Sequence, residues 1–321
     1  MKNEILCYSI GALLYCPANN ENIVHYLINE KFGTLFSLAL CLEDTIRDSC
    51  VAEAEQQLIH SLKQLHKESQ IKDFFMPHIF IRVREPKQIK KLTLQLGQAI
   101  SIVKGFIIPK FSLENADSYI QELLETNEHV TQTLYMMPIF ESPTIIPLNT
   151  RYDILYGLKE KLDSISQYVL NIRVGGNDLC HAFGYRRHSS ESIHDIKPIF
   201  NILSDIITVF GMDYVVSGPV WEYYNGEGWD TGLRNELNQD RLNGFIGKTV
   251  IHPNQIPLVN EAYKVSKADF EDAVSILNWD SNLKGLVSGS AENTRMNEYK
   301  THSNWAKKII ILSHIYGKSE F

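Results

Sequence analysis

Short apolar runs alternate with amphipathic segments along most of the chain. Eight of these runs have the length and composition of buried β-strands. They cover residues 11–16, 36–42, 78–83, 105–109, 133–140, 168–174, 213–220 and 245–251. Segments with helical spacing separate them, as in residues 51–65, where apolar side chains recur every three or four positions. Because strands separated by helices pair in parallel through right-handed crossovers, the pattern predicts an α/β fold with a parallel sheet.

The number of strands favours one of two parallel architectures. Eight strand–helix units within about 250 residues are typical of a (β/α)₈ TIM barrel. A doubly wound open sheet is the alternative, and it carries a glycine-rich phosphate-binding turn after its first strand. Residues 15–20, YCPANN, contain no glycine. We therefore predict a TIM barrel that occupies residues 1–265.

Beyond residue 265 the strand pattern gives way to helices alone. Ser266 and Asp269 are spaced as the N-cap and the third residue of a helix. Residues 309–312, IIIL, are too apolar to remain in water. We predict a C-terminal helical extension over residues 266–321. It packs either on its own barrel or on a neighbouring subunit, and the sequence favours neither.

Composition and charge exclude several classes of function. The chain has 321 residues, of which 44% are hydrophobic and 21% are charged, as in ordinary globular proteins. Its net charge is −7 and no run of Lys and Arg exceeds two residues, so we expect no nucleic-acid partner. No apolar stretch is long enough to span a membrane, and the N-terminal residues lack an apolar signal segment. We expect a cytoplasmic protein with no membrane partner.

Two acidic residues follow strand-like runs at equivalent positions. Glu141 comes directly after residues 133–140, and Asp178 follows residues 168–174 and a pair of glycines. If the two strands are neighbours, the acids meet at the carboxyl edge of the barrel, where such folds bind ligands. Two carboxylates with space for water and substrate oxygens suit Mg²⁺. The sequence has no C-x-x-C or H-x-x-x-H pair of the kind that binds zinc. We predict a magnesium site on Glu141 and Asp178.

Further polar groups follow strand-like runs on the same predicted face. Arg82 could hold a substrate carboxylate bidentately, and the backbone amides of residues 175–177 could stabilise negative charge. Such a set suits cleavage of a C–C bond beside a carbonyl, which leaves an enolate. Ordinary structural roles are open for the same residues. Glu43 and Asp44 are equally suited to helix capping, Arg82 to a buried ion pair, and Lys110 to a solvated loop.

Short segments of the chain match a known family in order. The segments 41–46 (CLEDTI), 81–84 (IRVR), 108–110 (IPK), 140–142 (FES) and 175–179 (GGNDL) resemble the patterns D-L-E-D-A-V, V-R-V-N, L-P-K, I-E-T and G-x-x-D-L. Residues 244–255, GFIGKTVIHPNQ, closely follow the more specific pattern G-F-x-G-K-x-x-I-H-P-x-Q. Over nearly the whole length, the chain resembles the citrate lyase β-subunit-like family within the HpcH/HpaI aldolase group.

The resemblance implies a TIM barrel with Mg²⁺ on Glu141 and Asp178, Arg82 against the substrate carboxylate, and Glu43 near the metal-bound waters. Family members commonly cleave or form C–C bonds in 3-hydroxyacyl thioesters such as citryl or malyl conjugates, and they often assemble as trimers. In related lyases an acid in a C-terminal G-x-M-x-D stretch reaches a neighbouring subunit's site. Residues 295–298, RMNE, are similar, so the resemblance implies Glu298 as that acid/base.

Three positions depart from the family pattern. Cys41 replaces the first aspartate, Arg84 replaces the asparagine, and Glu298 replaces the C-terminal aspartate. The longer Glu298 side chain changes the geometry of proton transfer. Arg84 indicates either a more anionic substrate or a surface ion pair.

These observations lead to three hypotheses about function. The first is a Mg²⁺-dependent carbon–carbon lyase or aldolase that acts on a small oxo- or hydroxy-acid, including coenzyme A thioesters. Its catalytic residues are Arg82, Glu43 and Glu298, and its substrate-binding residues are Arg82, Lys110, Gly175, Gly176 and Asn177. The second is a thioester hydrolase with the same metal pair, and the third is a non-catalytic ligand-binding subunit of a larger assembly. The expected partners are a small carboxylate or acyl-CoA and further copies of the chain, as a trimer or a dimer of trimers.

Overall fold

Eight parallel strands form a ring in the computed structural model, which describes residues 4–279, 285–291 and 293–319. The strands are β1 (Ala12–Pro17), β2 (Ser37–Cys41), β3 (His78–Arg82), β4 (Val103–Ile108), β5 (Tyr135–Phe140), β6 (Ile172–Val174), β7 (Val216–Ser217) and β8 (Lys248–Val250). Each strand from β1 to β6 pairs with the next one, and β8 pairs with β1. A single bridge between Gly218 and Lys248 joins the ends of β7 and β8 and closes the ring.

Helices connect the strands and cover the outside of the ring. They are α1 (Glu4–Tyr8), α2 (Ile23–Ile28), α3 (Val51–Ser69), α4 (Lys87–Leu96), α5 (Ala116–Asn127), α6 (Leu148–Asp163), α7 (Gly176–Phe183), α8 (Lys197–Phe210), α9 (Trp229–Leu242), α10 (Ile256–Ala262), α11 (Lys267–Leu277) and α12 (Tyr299–Tyr316). Most of their apolar faces share one core with the strands; Leu58 and Leu62 of α3, for example, are buried in it. Ala273, Ile276 and Ala306 of α11 and α12 form a second, smaller cluster. None of the described helices is both long and apolar enough to cross a membrane.

The predicted TIM barrel is confirmed. The doubly wound sheet is wrong because β8 pairs with β1 and is also bridged to the end of β7, which closes the sheet. The last three strands are shorter than predicted, most clearly β7, which has two residues in place of residues 213–220. The Tyr214 amide donates to Phe210 O at the end of α8, at 2.9 Å, and is therefore not available to a strand. Pro219 has no amide hydrogen to continue the ladder on the other side.

The C-terminal extension folds back on its own barrel. The predicted N-cap is present, because Ser266 Oγ accepts a hydrogen bond from the Asp269 amide at 3.1 Å. Helix α12 contacts α1, and Tyr316 Oη donates to Tyr8 O at 2.9 Å. Two short strands, β9 (Val265–Ser266) and β12 (Lys318–Ser319), pair in parallel and fix the end of the extension. The last two, β10 (Val287–Gly289) and β11 (Met296–Glu298), form an antiparallel hairpin before α12. The division of the chain at residue 265 stays a prediction.

The lysine of the motif in residues 244–255 has a structural role. Lys248 Nζ lies 2.9 Å from Glu236 Oε1 and 2.7 Å from Asp240 Oδ2 of α9, and all three side chains are fully buried. His194 Nε2 contacts the other Asp240 oxygen at 2.7 Å. Burial raises the pKa of Asp240, but Lys248 and His194 outweigh it and hold the pKa below its usual value. The cluster ties β8 to α9 beside the seam of the ring.

The rest of this motif shapes the turns around β8. Gly244 and Gly247 have φ values of +93° and +79°, in the left-handed region that favours glycine. A Cβ on Gly247 would also lie 2.6 Å from Gly11 O. After the strand, His252 Nδ1 accepts a hydrogen bond from the Asn254 amide at 3.2 Å, and Gln255 Oε1 accepts one from the His252 amide at 3.2 Å. These residues of the motif therefore stabilise the fold of the barrel and form no hydrogen bond with the predicted metal ligands.

Candidate active site

A cavity of about 270 Å³ opens at the carboxyl ends of the strands. Its lining includes Tyr15, Arg82, Glu141, Arg173, Asp178 and Thr249. This volume is below the roughly 300–1,000 Å³ that is usual for sites of drug-sized ligands, so it suits a small ligand. A larger cavity of about 670 Å³ lies outside the ring and is lined by residues of α3, α4 and α5 such as His66, Lys90 and Glu125. It shares no lining residue with the cavity where the predicted acids lie.

The two predicted metal ligands line the same cavity. Glu141 follows β5 directly, and Asp178 lies in the first turn of α7, just after β6. Glu141 is 4% exposed. Burial raises the pKa of Glu141 to about 7; the nearby Arg82 opposes this rise, and the charge of Asp178 adds to it. The structure thus brings the acids together, while their role as metal ligands stays a prediction.

The Glu141 carboxylate is held in place from two sides. Its Oε1 accepts hydrogen bonds from the Lys110 amide at 3.0 Å and from Arg82 Nη2 at 3.3 Å. On the other side it packs against Gly175, where an added Cβ would lie 2.2 Å from Glu141 Oε2. A Cβ on Gly176 would lie 2.6 Å from Ile193 Cδ1. The paired glycines are therefore required by close packing, and neither has a positive φ.

Replacement of Gly175 by alanine tests this packing. We expect Gly175→Ala to displace the Glu141 carboxylate, to lower Mg²⁺ affinity, and to cost about 1–3 kcal/mol of unfolding free energy through overpacking. Gly157→Ala in α6 is the matched control, because its Cβ would meet only the tip of Leu113 at 3.2 Å. Calorimetric Mg²⁺ titration and urea unfolding measure the two effects. Equal Mg²⁺ affinity of Gly175→Ala and the wild type would contradict the packing argument.

Arg82 and Lys110 form an ion cluster with the acids that follow β2. Arg82 Nη2 lies 2.6 Å from Glu43 Oε2 and 2.8 Å from Asp44 Oδ2. Lys110 Nζ lies 2.6 Å from Glu43 Oε1 and 3.3 Å from Asp44 Oδ1. The ion-pair alternative for Arg82 is therefore what the structure shows. The Lys110 side chain is 47% exposed, so it is solvated as well as paired with these acids. Glu43 and Asp44 bind these cations and do not form a side-chain cap on α3, whose N-cap residue is Cys50.

The backbone amides of residues 175–177 are not equivalent. The Gly175 amide donates to Phe140 O at 3.1 Å, within the barrel, so the predicted substrate contact through this amide is wrong. Gly176 and Asn177 begin α7, where the first amides of a helix have no intrahelical partner. These two remain candidates to face a ligand, and both residues line the cavity.

The three positions that depart from the family pattern lie away from the cavity lining. Glu298 ends β11, and its amide donates to His302 Nδ1 at 3.0 Å. Its role as an acid/base therefore needs the site of a neighbouring subunit, and it stays a prediction. Arg84 Nη2 pairs with the exposed Asp48 at 2.6 Å, which favours the surface ion pair over a substrate contact. Cys41 is completely buried in β2.

Arg173 is a charged residue of the cavity lining that was not predicted from the sequence. It lies in β6, is 1% exposed, and donates from Nη2 to Thr249 Oγ1 at 2.5 Å. The sequence does contain a signal for it, because an arginine interrupts the apolar run of residues 168–174. A charge in a buried strand needs a partner or a function.

The residues present fit a hard divalent cation. No group of three or more His, Cys, Asp and Glu side chains in the described ranges is arranged to hold a metal. Mg²⁺ nevertheless needs only one or two carboxylates, with waters and substrate as its other ligands. Within the described chain, the Asp178 carboxylate has neither a hydrogen bond nor an ion pair. An unpartnered acid beside the buried Glu141 is what a pair that shares Mg²⁺ requires.

Comparison with known proteins agrees with this fold. No curated protein sequence matches the chain. A citrate lyase from Burkholderia xenovorans LB400 is 13% identical, with a TM-score of 0.73 over 97% of this chain and 93% of that one. The CitE protein from Mycobacterium tuberculosis, in complex with magnesium, acetoacetate and coenzyme A, is 16% identical, with a TM-score of 0.62 over 96% and 99%. The citrate lyase β subunit from M. tuberculosis, with oxaloacetate and magnesium, is 17% identical, with a TM-score of 0.51 over 80% and 98%.

These low identities show the shared TIM-barrel fold, and the family follows from a separate match. A family model described as C-C Bond Lyase of the TIM-Barrel fold matches residues 4–318, almost the whole chain. The resemblance to citrate lyase β-subunit-like proteins is thereby confirmed. The chain belongs to this family of TIM-barrel enzymes and is a carbon–carbon bond lyase.

Proposed function

We propose that the protein is a Mg²⁺-dependent lyase or aldolase that acts on a small oxo- or hydroxy-acid, including its coenzyme A thioester. The observation that carries the proposal is the presence of Glu141 and Asp178 on one small cavity at the carboxyl ends of the strands. Solved relatives contain magnesium with acetoacetate and coenzyme A, or with oxaloacetate, and these ligands support the choice of substrate class.

In this proposal Glu141 and Asp178 hold the ion, which supplies Lewis-acid polarisation of a carbonyl oxygen when it is bound. The Gly176 and Asn177 amides, at the N-terminus of α7, face the negative charge that develops on the substrate oxygen. Arg82 holds Glu141 through the 3.3 Å contact and is itself anchored by Glu43. Arg82 therefore positions the predicted metal ligand Glu141. Any contact of Arg82 with the substrate would be made by its other nitrogens.

Proton movement completes the reaction. A base removes the proton of the substrate hydroxyl as the C–C bond breaks, and the electron pair of that bond passes into the enolate of the leaving fragment. The enolate carbon then takes a proton. Glu298 of a neighbouring subunit is our candidate for this acid/base. The proposal accordingly includes a homo-oligomer, as a trimer or a dimer of trimers, and a cytoplasmic location, which suits five cysteines that are all free thiols.

A product assay tests the proposed function. Purified protein is incubated with Mg²⁺ and citryl, malyl or 3-hydroxy-3-methylglutaryl thioesters, with an EDTA-treated sample as control. We expect a carbonyl product such as oxaloacetate, glyoxylate or acetoacetate to form only with Mg²⁺. Release of free acid and thiol without a carbonyl product would indicate the hydrolase. Ligand binding without turnover would indicate the non-catalytic subunit.

A further inference from the structure

Arg173 places an unpaired positive charge inside the barrel. Its Nε and Nη1 have no hydrogen-bond partner in the described part of the chain, although the side chain is buried. The other buried arginines there each meet a carboxylate: Arg82 meets Glu141, Arg151 meets Asp205 at 2.8 Å, and Arg187 meets Glu236 at 3.3 Å. Arginine keeps its proton under nearly all conditions. No carboxylate of the described residues therefore compensates the charge of Arg173.

The charge lies below the predicted metal ligands. The register of the sheet pairs Arg173 with Ile139, two residues before Glu141, so Arg173 is one inward-facing layer deeper in the ring. Tyr15 and Thr249 line the cavity beside it and carry hydroxyl groups. Residues that break the rules of burial without internal compensation are expected at functional sites. An anion at the floor of the cavity would supply the missing partner.

We infer that Arg173 is a specificity-determining residue that receives a second anionic group of the substrate, a carboxylate or a phosphate, at the floor of the cavity. The inference rests on the proposed function, in which the ion held by Glu141 and Asp178 binds the other end of the substrate. The charge of Arg82 differs from that of Arg173, because the carboxylates of Glu43, Asp44 and Glu141 already compensate it. The site therefore prefers an acid with two anionic groups to a monocarboxylate.

Binding of matched acids to the full-length protein tests the inference. Isothermal titration calorimetry in Mg²⁺ compares propionate, succinate and 3-phosphonopropionate, which differ in the second anionic group. We expect succinate or 3-phosphonopropionate to bind the wild type at least about tenfold more tightly than propionate, as is usual for a charge-assisted hydrogen bond. The tighter of the two identifies the group as carboxylate or phosphate. In Arg173→Met we expect all three acids to bind with the affinity of propionate.

Arg186→Met is the control variant, because Arg186 is an exposed arginine near the site, 3.7 Å from Glu222. It should keep the preference of the wild type. Thermal melting separates the inference from a structural role: Arg173→Met should melt at the same temperature as the wild type or higher, since it removes an unpaired buried charge. A lower melting temperature together with an unchanged preference would overturn the inference.

Two outcomes distinguish this inference from the proposed function. If the wild type binds all three acids equally, the inference is wrong even if Arg173→Met does not fold, and cleavage of thioesters would still stand. If the preference depends on Arg173 but no thioester is cleaved, the anion site is supported and the lyase proposal fails.

Discussion

Glu141→Gln should lower kcat/KM by about 10³-fold and weaken Mg²⁺ binding. A bound metal contributes several kcal/mol of charge stabilisation, and each ~1.4 kcal/mol corresponds to a factor of ten in rate. Glutamine keeps an oxygen that can accept from the Lys110 amide and Arg82, so the side chain should stay in position. Because the change also removes a negative charge near Asp178, we expect no loss of thermal stability. Calorimetric Mg²⁺ titration and steady-state kinetics measure the two effects.

Glu55→Gln is the matched control for this variant. Glu55 is 4% exposed, like Glu141, but it lies in α3 and binds Gln88 and Lys91 on the outside of the barrel. It should leave Mg²⁺ affinity and kcat/KM unchanged. Wild-type Mg²⁺ affinity in Glu141→Gln would remove Glu141 from the metal site. A similar loss in both variants would point to a general effect of buried glutamates on the fold.

Lys248→Met should lower the free energy of unfolding by about 3–5 kcal/mol, the usual cost of removing one partner of a buried ion pair. Lys248 is fully buried and is the cation between Glu236 and Asp240. Without it, Glu236 keeps its contacts with Arg187 and the Ile193 amide, and Asp240 keeps its contact with His194. Methionine fills a similar volume, so the effect is mainly electrostatic. Urea unfolding followed by circular dichroism gives the free energy directly.

Lys264→Met gives the reference for the loss of an exposed lysine. Lys264 lies 2.8 Å from Glu261 in an exposed i,i+3 pair, and its removal should change the free energy of unfolding by no more than about 0.5 kcal/mol. Equal effects of Lys248→Met and Lys264→Met would show that the buried cluster contributes little beyond a surface pair. The family motif around Lys248 would then need another explanation.

The first five strands could be predicted from the sequence to within two residues at each end, whereas the last three could not. An apolar run indicates that a segment is buried, but a buried segment does not have to form the hydrogen bonds of a β-ladder. Residues 213–220 are a clear case, because most of them are buried but only Val216 and Ser217 form a strand. Strand β7 is limited on one side by the end of α8 and on the other by Pro219, and the hydropathy pattern predicts neither limit.

The positions of Glu141 and Asp178 could be predicted because they depend only on where two neighbouring strands end. The partners of individual charges could not be predicted in the same way. Lys248 meets Glu236 and Asp240 through the packing of α9 on β8, and Arg82 meets residues from two other strand ends. Arg173 was missed because an arginine within an apolar run has no local signature that separates a buried ion pair from an unpaired charge.

Because the strands differ in length, one half of the barrel wall has more extensive strand pairing than the other, and we expect that half to be more rigid. Strand β5 shares four register pairs with β4 but only two with β6, and the segments of β7 and β8 form no regular ladder, although backbone hydrogen bonds such as that from the Gly218 amide to Gly247 O at 3.0 Å join them. Glu141 follows β5, at the edge of the more extensively paired half, whereas Asp178 follows β6, in the less extensively paired half. A ligand bound by both acids would link the two halves of the barrel wall. We therefore expect the less extensively paired half of the ring to become more rigid when the site is occupied.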